Sequence, residues 1–131
     1  MAGFSDYLED KVLDHVFGGS AYSAPGTLYV GLYTAAPSDT GGGTEVSGGS
    51  YARKSMAAMT VSGTSPTTAT NGAAVEFVTA TGAWGTVTHV GVFDAATSGN
   101  LMAWAALTAS KTVASGDVFR FDAGDLDITL A

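Results

Sequence analysis

Over residues 27–34 the chain alternates with a period of two: Leu28, Val30 and Leu32 point one way, and Tyr29, Gly31 and Tyr33 the other. Neither set is charged, so the spacing predicts a strand at the centre of a sheet. Further short strands are predicted at 51–61, 73–79, 86–93, 101–107, 118–122 and 126–130. Turn clusters separate them: Thr64-Ser65-Pro66, Thr81-Gly82, Ser98-Gly99-Asn100, Ser115-Gly116-Asp117 and Ala123-Gly124-Asp125. Short strands at this spacing indicate a sandwich or barrel, because βαβ units need more helices than this chain offers. The expected fold is mainly β: a single compact antiparallel β-sandwich or barrel-like domain with one N-terminal amphipathic helix. A length of 131 residues suits one domain, 1–131, burying roughly two-thirds of its unfolded surface.

The helix is predicted at about 5–17. Ser5 is placed to cap it, Asp6, Glu9 and Asp10 favour the positive end of its dipole, and Gly18 and Gly19 stop it. Phe4, Leu8, Val12, Leu13, Val16 and Phe17 form an apolar stripe opposite Asp6, Glu9, Asp10 and Asp14. One face is therefore expected to be covered, by the rest of the domain or by a partner. Residues 35–50 hold Pro37 and five glycines, which predicts a long exposed loop able to reach a neighbouring subunit. Thr44 and Val46 are its candidate contacts.

Only 13% of residues are charged, about half the fraction of roughly 25% in soluble proteins. A small, neutral surface loses little hydration when another protein covers it, which favours assembly. The net charge of −7 and five scattered basic residues (Lys11, Arg53, Lys54, Lys111, Arg120) argue against nucleic acid and anionic membrane surfaces as partners. With no cysteine, disulfides and thiolate metal sites are excluded. Neither a signal-peptide pattern nor a run of about 18 apolar residues is present, so a secreted or membrane-spanning chain is not expected.

No constellation points to catalysis, so no enzyme, catalytic residue, cofactor or metal is expected. His15 and His89 lie apart from any acid–nucleophile pattern and read as a helix-end partner and a packed strand residue. Asp117, Asp122, Asp125 and Asp127 gather near the C-terminus without the spacing of a known calcium loop, which makes them solvated turn and strand-end acids. The run Gly41-Gly42-Gly43 lacks the Lys-Ser/Thr and helix of a phosphate loop. Trp104 reads as core, and Trp84, in the turn-like Ala83-Trp84-Gly85, as either core or a protein-contact anchor.

Four segments carry a family resemblance: FSDYLEDKVLDHVFGGSAYSAPGTLYVGLYTAAPSD (4–39), GGSYARKSM (48–56), GTVTHVGVFDAATSGNLMAWAAL (85–107) and SGDVFRFDAGDLDITL (115–130). Together they resemble a family of small tailed-bacteriophage virion structural proteins often labelled "phage tail fiber protein". The resemblance implies a virion protein made in the host cytoplasm. With one short helix, no heptads and no repeats, a fibre shaft is not expected. A compact β domain suits a capsid decoration, or cement, protein on the head surface. By analogy with such proteins it would be a homo-oligomer such as a trimer, bound to the major capsid protein and to copies of itself. Its preference for assembled shell would stabilise the head by mass action. The alternative is a small tail-tip or fibre-associated protein that meets a host receptor. Candidate interface residues are Phe4, Leu8, Val12, Val16, Phe17, Thr44, Val46 and Trp84.

Overall fold

The computed structural model describes residues 3–130. The remaining positions of the expected 1–131 unit, Met1, Ala2 and Ala131, lie outside the described residues. In chain order the elements are β1 (Gly3–Phe4), α1 (Asp6–Leu13), a π-helical turn (Asp14–Gly18), β2 (Leu28–Ala35), β3 (Thr44–Glu45), β4 (Lys54–Met56), β5 (Thr60–Ser62), β6 (Thr67–Thr70), β7 (Val75–Glu76), β8 (Gly85–Phe93), β9 (Leu101–Val113), β10 (Arg120–Phe121) and β11 (Asp127–Leu130). The main sheet runs β1-β9-β8-β2-β3, with β4 paired to the start of β2. β7 pairs with β10, and β6 lies between β5 and β11. All of these pairings are antiparallel. The fold is thus mainly β with one N-terminal helix.

The alternation in β2 explains how the sheet is covered. Val30 and Leu32, fully buried and opposite Val92 and Val90, face a core completed by Val75, Phe77, Phe119, Phe121 and Leu126 from the two small sheets and their flanks. Tyr29 and Tyr33 face the other way, into a cluster with Phe93, Leu101 and Trp104. Between the two tyrosines, Gly31 pairs directly with Gly91. A Cβ on Gly31 would lie 2.8 Å from the Phe93 ring and 2.9 Å from Glu45 Oε2, and one on Gly91 would lie 2.9 Å from Leu101 and 3.0 Å from Tyr33. This glycine pair therefore makes room for the aromatic rings on that face.

The long strand β9 carries a bulge. His89 opposes Ala106 while Val87 opposes Lys111, so three residues more than a regular ladder allows are taken up between 106 and 111. A bulge of this kind bends an edge that would otherwise offer unpaired backbone groups to other chains.

The helix is anchored mainly at its beginning. Ser5 is buried; its N–H donates to the Met102 carbonyl (2.8 Å), its hydroxyl donates to the Leu101 carbonyl, and its Oγ accepts from the Leu8 N–H (3.3 Å). Ser5→Ala is expected to lower unfolding stability by about 1–2 kcal/mol, since it removes a cap and a buried hydrogen bond to the Leu101 carbonyl. An unchanged urea midpoint, with no faster amide exchange at Leu8, would contradict that role.

The domain itself covers the apolar stripe of the helix only in part: no residue of α1 or the π-helical turn is buried, Leu8 and Val12 are half-buried, and the helix meets the body near β1, β9 and Asp39. Two other expectations change. The stretch 35–50 is not one exposed loop, for Thr44–Glu45 pairs with β2 and Val46 is buried, its N–H donating to the Leu32 carbonyl (2.9 Å). The glycines fold that chain back tightly, and a Cβ on Gly43, at φ +73°, would lie 2.7 Å from the Pro37 nitrogen. The strand predicted at 51–61 is broken at 57–59 into β4 and β5, which join different sheets.

Candidate functional site

The polar side chains singled out as chemistry-bearing have local structural work. The Nδ1 of His15 accepts from the Tyr22 N–H (3.0 Å), and His89 Nδ1 lies 2.8 Å from the Thr88 hydroxyl. Asp117 accepts from the Ala114 N–H and Asp125 from the Asp122 N–H, each closing a turn. Asp122 pairs with Arg120, and Asp127 accepts from the Thr70 hydroxyl. Among the described residues, no three His, Cys, Asp or Glu side chains gather where they could hold a metal ion.

Of the eight candidate contact residues, two are internal. Val46 and Trp84 are buried in the main core, so neither is available at the surface of the folded chain. The Trp84 ring meets Tyr51 edge-on at 5.3 Å and Phe77 at 6.4 Å, and its Nε1–H donates to the Gly49 carbonyl (2.9 Å). Apolar packing and a partner for the indole N–H explain why this turn residue lies inside. Thr44 is exposed on β3, remote in sequence from the helix, and Phe4 is half-buried in β1 opposite Ala103.

The helix supplies the exposed candidates. Leu8 and Val12 are half-buried, whereas Val16 and Phe17 are 60% and 82% exposed and Leu13 is 58% exposed. Leu13, Val16 and Phe17 fall at i, i+3 and i+4, the spacing of one helical face. They form an uncovered apolar tip on an element that also carries Asp6, Glu9, Asp10 and Asp14 and a single cation, Lys11.

Sequence reasoning missed a second feature, built around Arg53. Its guanidinium lies 3.5 Å from the centre of the Phe93 ring, binds both Glu45 oxygens (2.9 Å each) and donates to the Ala95 and Ser98 carbonyls. The Tyr51 hydroxyl donates to Glu45 (2.7 Å) and accepts from the Leu32 N–H (2.9 Å). Burial pushes the Tyr51 phenol up, and the Glu45 charge adds to the rise. Burial also raises the Tyr33 phenol to about 12. Burial opposes the Arg53 charge, but the hydrogen bonds and charge of Glu45 outweigh it and raise its pKa. The available signal was weak: Arg53 and Lys54 are adjacent in GGSYARKSM, and nothing in that spacing identifies Glu45 as a partner.

In comparison with known families, the family model described as podophage GP4 fiber I protein gp80 matches residues 3–129. That span reaches from β1 to the penultimate residue of β11. No curated protein matches the chain.

Proposed function

Because this chain belongs to the podophage GP4 fiber I protein gp80 family, and is thereby a phage virion structural protein, we propose that it is a globular subunit of the fibre apparatus. In this reading it works by binding rather than catalysis and docks on a larger structural protein through the tip of its helix. The observation that carries the docking is the exposure of Leu13, Val16 and Phe17. Full burial of such side chains is worth roughly 1.5–3 kcal/mol each, enough to make a partner's groove the favoured environment. Phe17→Ser is expected to leave unfolding stability within about 0.5 kcal/mol, as for an ordinary surface change. The same variant should enter particles at least about tenfold less well, as loss of a buried aromatic anchor implies. Equal incorporation of variant and wild-type chains would remove the tip from the interface.

Capsid decoration is the second reading, supported by the compactness of the chain. Its helix is eight residues long before the π-helical turn, and no heptad or repeat offers a shaft. The partners would then be the major capsid protein and copies of this chain, as in a trimer. Immunogold labelling of intact particles separates the two: gold at the fibres supports the first reading, and gold over the head the second. In the fibre position, exposed loops would be free to meet a host receptor.

A further inference from the structure

At the base of the helix, away from its exposed tip, a cavity of about 500 Å³ opens between the first turn of α1, the turn at 39–42 and the β8–β9 connection. Its walls are tied to the body. The Asp6 N–H donates to the Asp39 carbonyl (3.0 Å), and Trp104 Nε1–H donates to Asp39 Oδ1 (2.9 Å). Arg53 holds the Ala95 and Ser98 carbonyls, and Asn100 donates from backbone and side chain to Asp94 (2.7 and 2.9 Å). A cavity with walls fixed in this way is a preformed concavity of the size that holds small ligands.

Tyr33 lines this cavity. Its side chain is 5% exposed and packed against Phe93, yet its hydroxyl has no hydrogen-bond partner among the described residues. No fully enclosed side-chain polar atom among those residues lacks a partner, so the hydroxyl is accessible, and Tyr33 is one of the residues that line the cavity. The other lining residues include the polar Asp6, Asp39, Thr40 and Asn100 beside the aromatic Tyr7 and Phe93 and the apolar Leu101.

Charge narrows the ligand. Arg53 is the one cation among the lining residues, and its charge is matched by Glu45 at 2.9 Å. The unmatched charges are the two aspartates, which repel phosphates and carboxylates. An apolar ligand would strip water from both carboxylates without replacing its hydrogen bonds. A polyhydroxylated neutral molecule satisfies every group: its hydroxyls donate charge-assisted bonds to Asp6 and Asp39 and accept one from Tyr33.

We propose that this cavity binds an uncharged saccharide. Phe17 does not line it, so failure of the helix-tip reading and failure of this one are separable. The test is an NMR titration of the full chain with glucose, galactose, mannose, rhamnose and N-acetylglucosamine into the millimolar range. At least one sugar should produce saturable shifts confined to Tyr33, Asp39, Asn100 and their neighbours. Tyr33→Phe should weaken that binding about tenfold, the scale of one lost hydrogen bond, at an unchanged unfolding midpoint. Asp39→Asn, which keeps an acceptor for Trp104, should do the same. No saturable shift with any of the five sugars, or equal binding by both variants, would overturn the proposal. Site-specific shifts with methylammonium alone would overturn it in favour of a cation site.

Discussion

Trp84→Ala is expected to remove about 3–5 kcal/mol of unfolding stability, the range for truncating a large buried aromatic. A domain of this size is stable by roughly 5–15 kcal/mol, so the variant should sit close to unfolding at room temperature. Two effects combine. The indole fills the space between Tyr51 and Phe77 and is 4% exposed, so alanine leaves a cavity in the main core. Its Nε1–H also satisfies the Gly49 carbonyl, where a Cβ would approach the ring within 2.9 Å. Trp84→Phe separates the effects: most of the packing survives while the Gly49 carbonyl keeps only the Thr81 N–H (3.0 Å) of its two donors, and the expected loss falls to about 1–2 kcal/mol. The measurement is urea unfolding, read as a lower midpoint at unchanged slope. If Trp84→Ala lost under 1 kcal/mol while particle incorporation collapsed, Trp84 would be an interface anchor after all.

Arg53→Ala is the second large effect, expected to cost about 2–4 kcal/mol. Removing one partner of a buried ion pair typically costs 3–5 kcal/mol. The lower figure here reflects the partial exposure of Glu45, whose side chain is 25% accessible against 10% for Arg53. The substitution leaves the Glu45 carboxylate facing the Tyr51 hydroxyl without a countercharge and frees the Ala95 and Ser98 carbonyls together. Arg53→Lys should recover little, because a point ammonium cannot fork onto two carboxylate oxygens, hold two carbonyls and stack on Phe93 at once. A double-mutant cycle with Glu45→Gln should give a coupling of about 1–3 kcal/mol. Additive single losses would mean that the two side chains act independently and that the node is only a set of contacts.

What was legible in the chain was whatever depends on near neighbours. Alternation placed β2 and β8 within a residue or so of their ends, since both faces of those strands are packed and every second residue reports on one face. The cap at Ser5 and the stop near Gly18 and Gly19 were equally local. The run at 51–61 misled because a stretch without turn residues cannot reveal that its two halves leave for different sheets. The helix stripe left its cover open for the opposite reason: an amphipathic pattern demands a cover without saying whether the same chain provides it.

The candidate site depends on pairings at long range. Arg53 reaches Ala95 across 42 positions, Trp84 reaches Gly49 across 35, and Trp104 reaches Asp39 across 65. The sequence by itself determined a charge-poor, cysteine-free, mainly β chain with one capped helix, because those properties follow from composition and from periods of two and 3.6 residues. Only the tertiary structure decided that Val46 and Trp84 lie inside, that Phe17 lies outside, and that Tyr33 opens onto a cavity walled by Asp6 and Asp39. Burial is a property of what packs against a residue, and here the packing partners come from strands far apart along the chain.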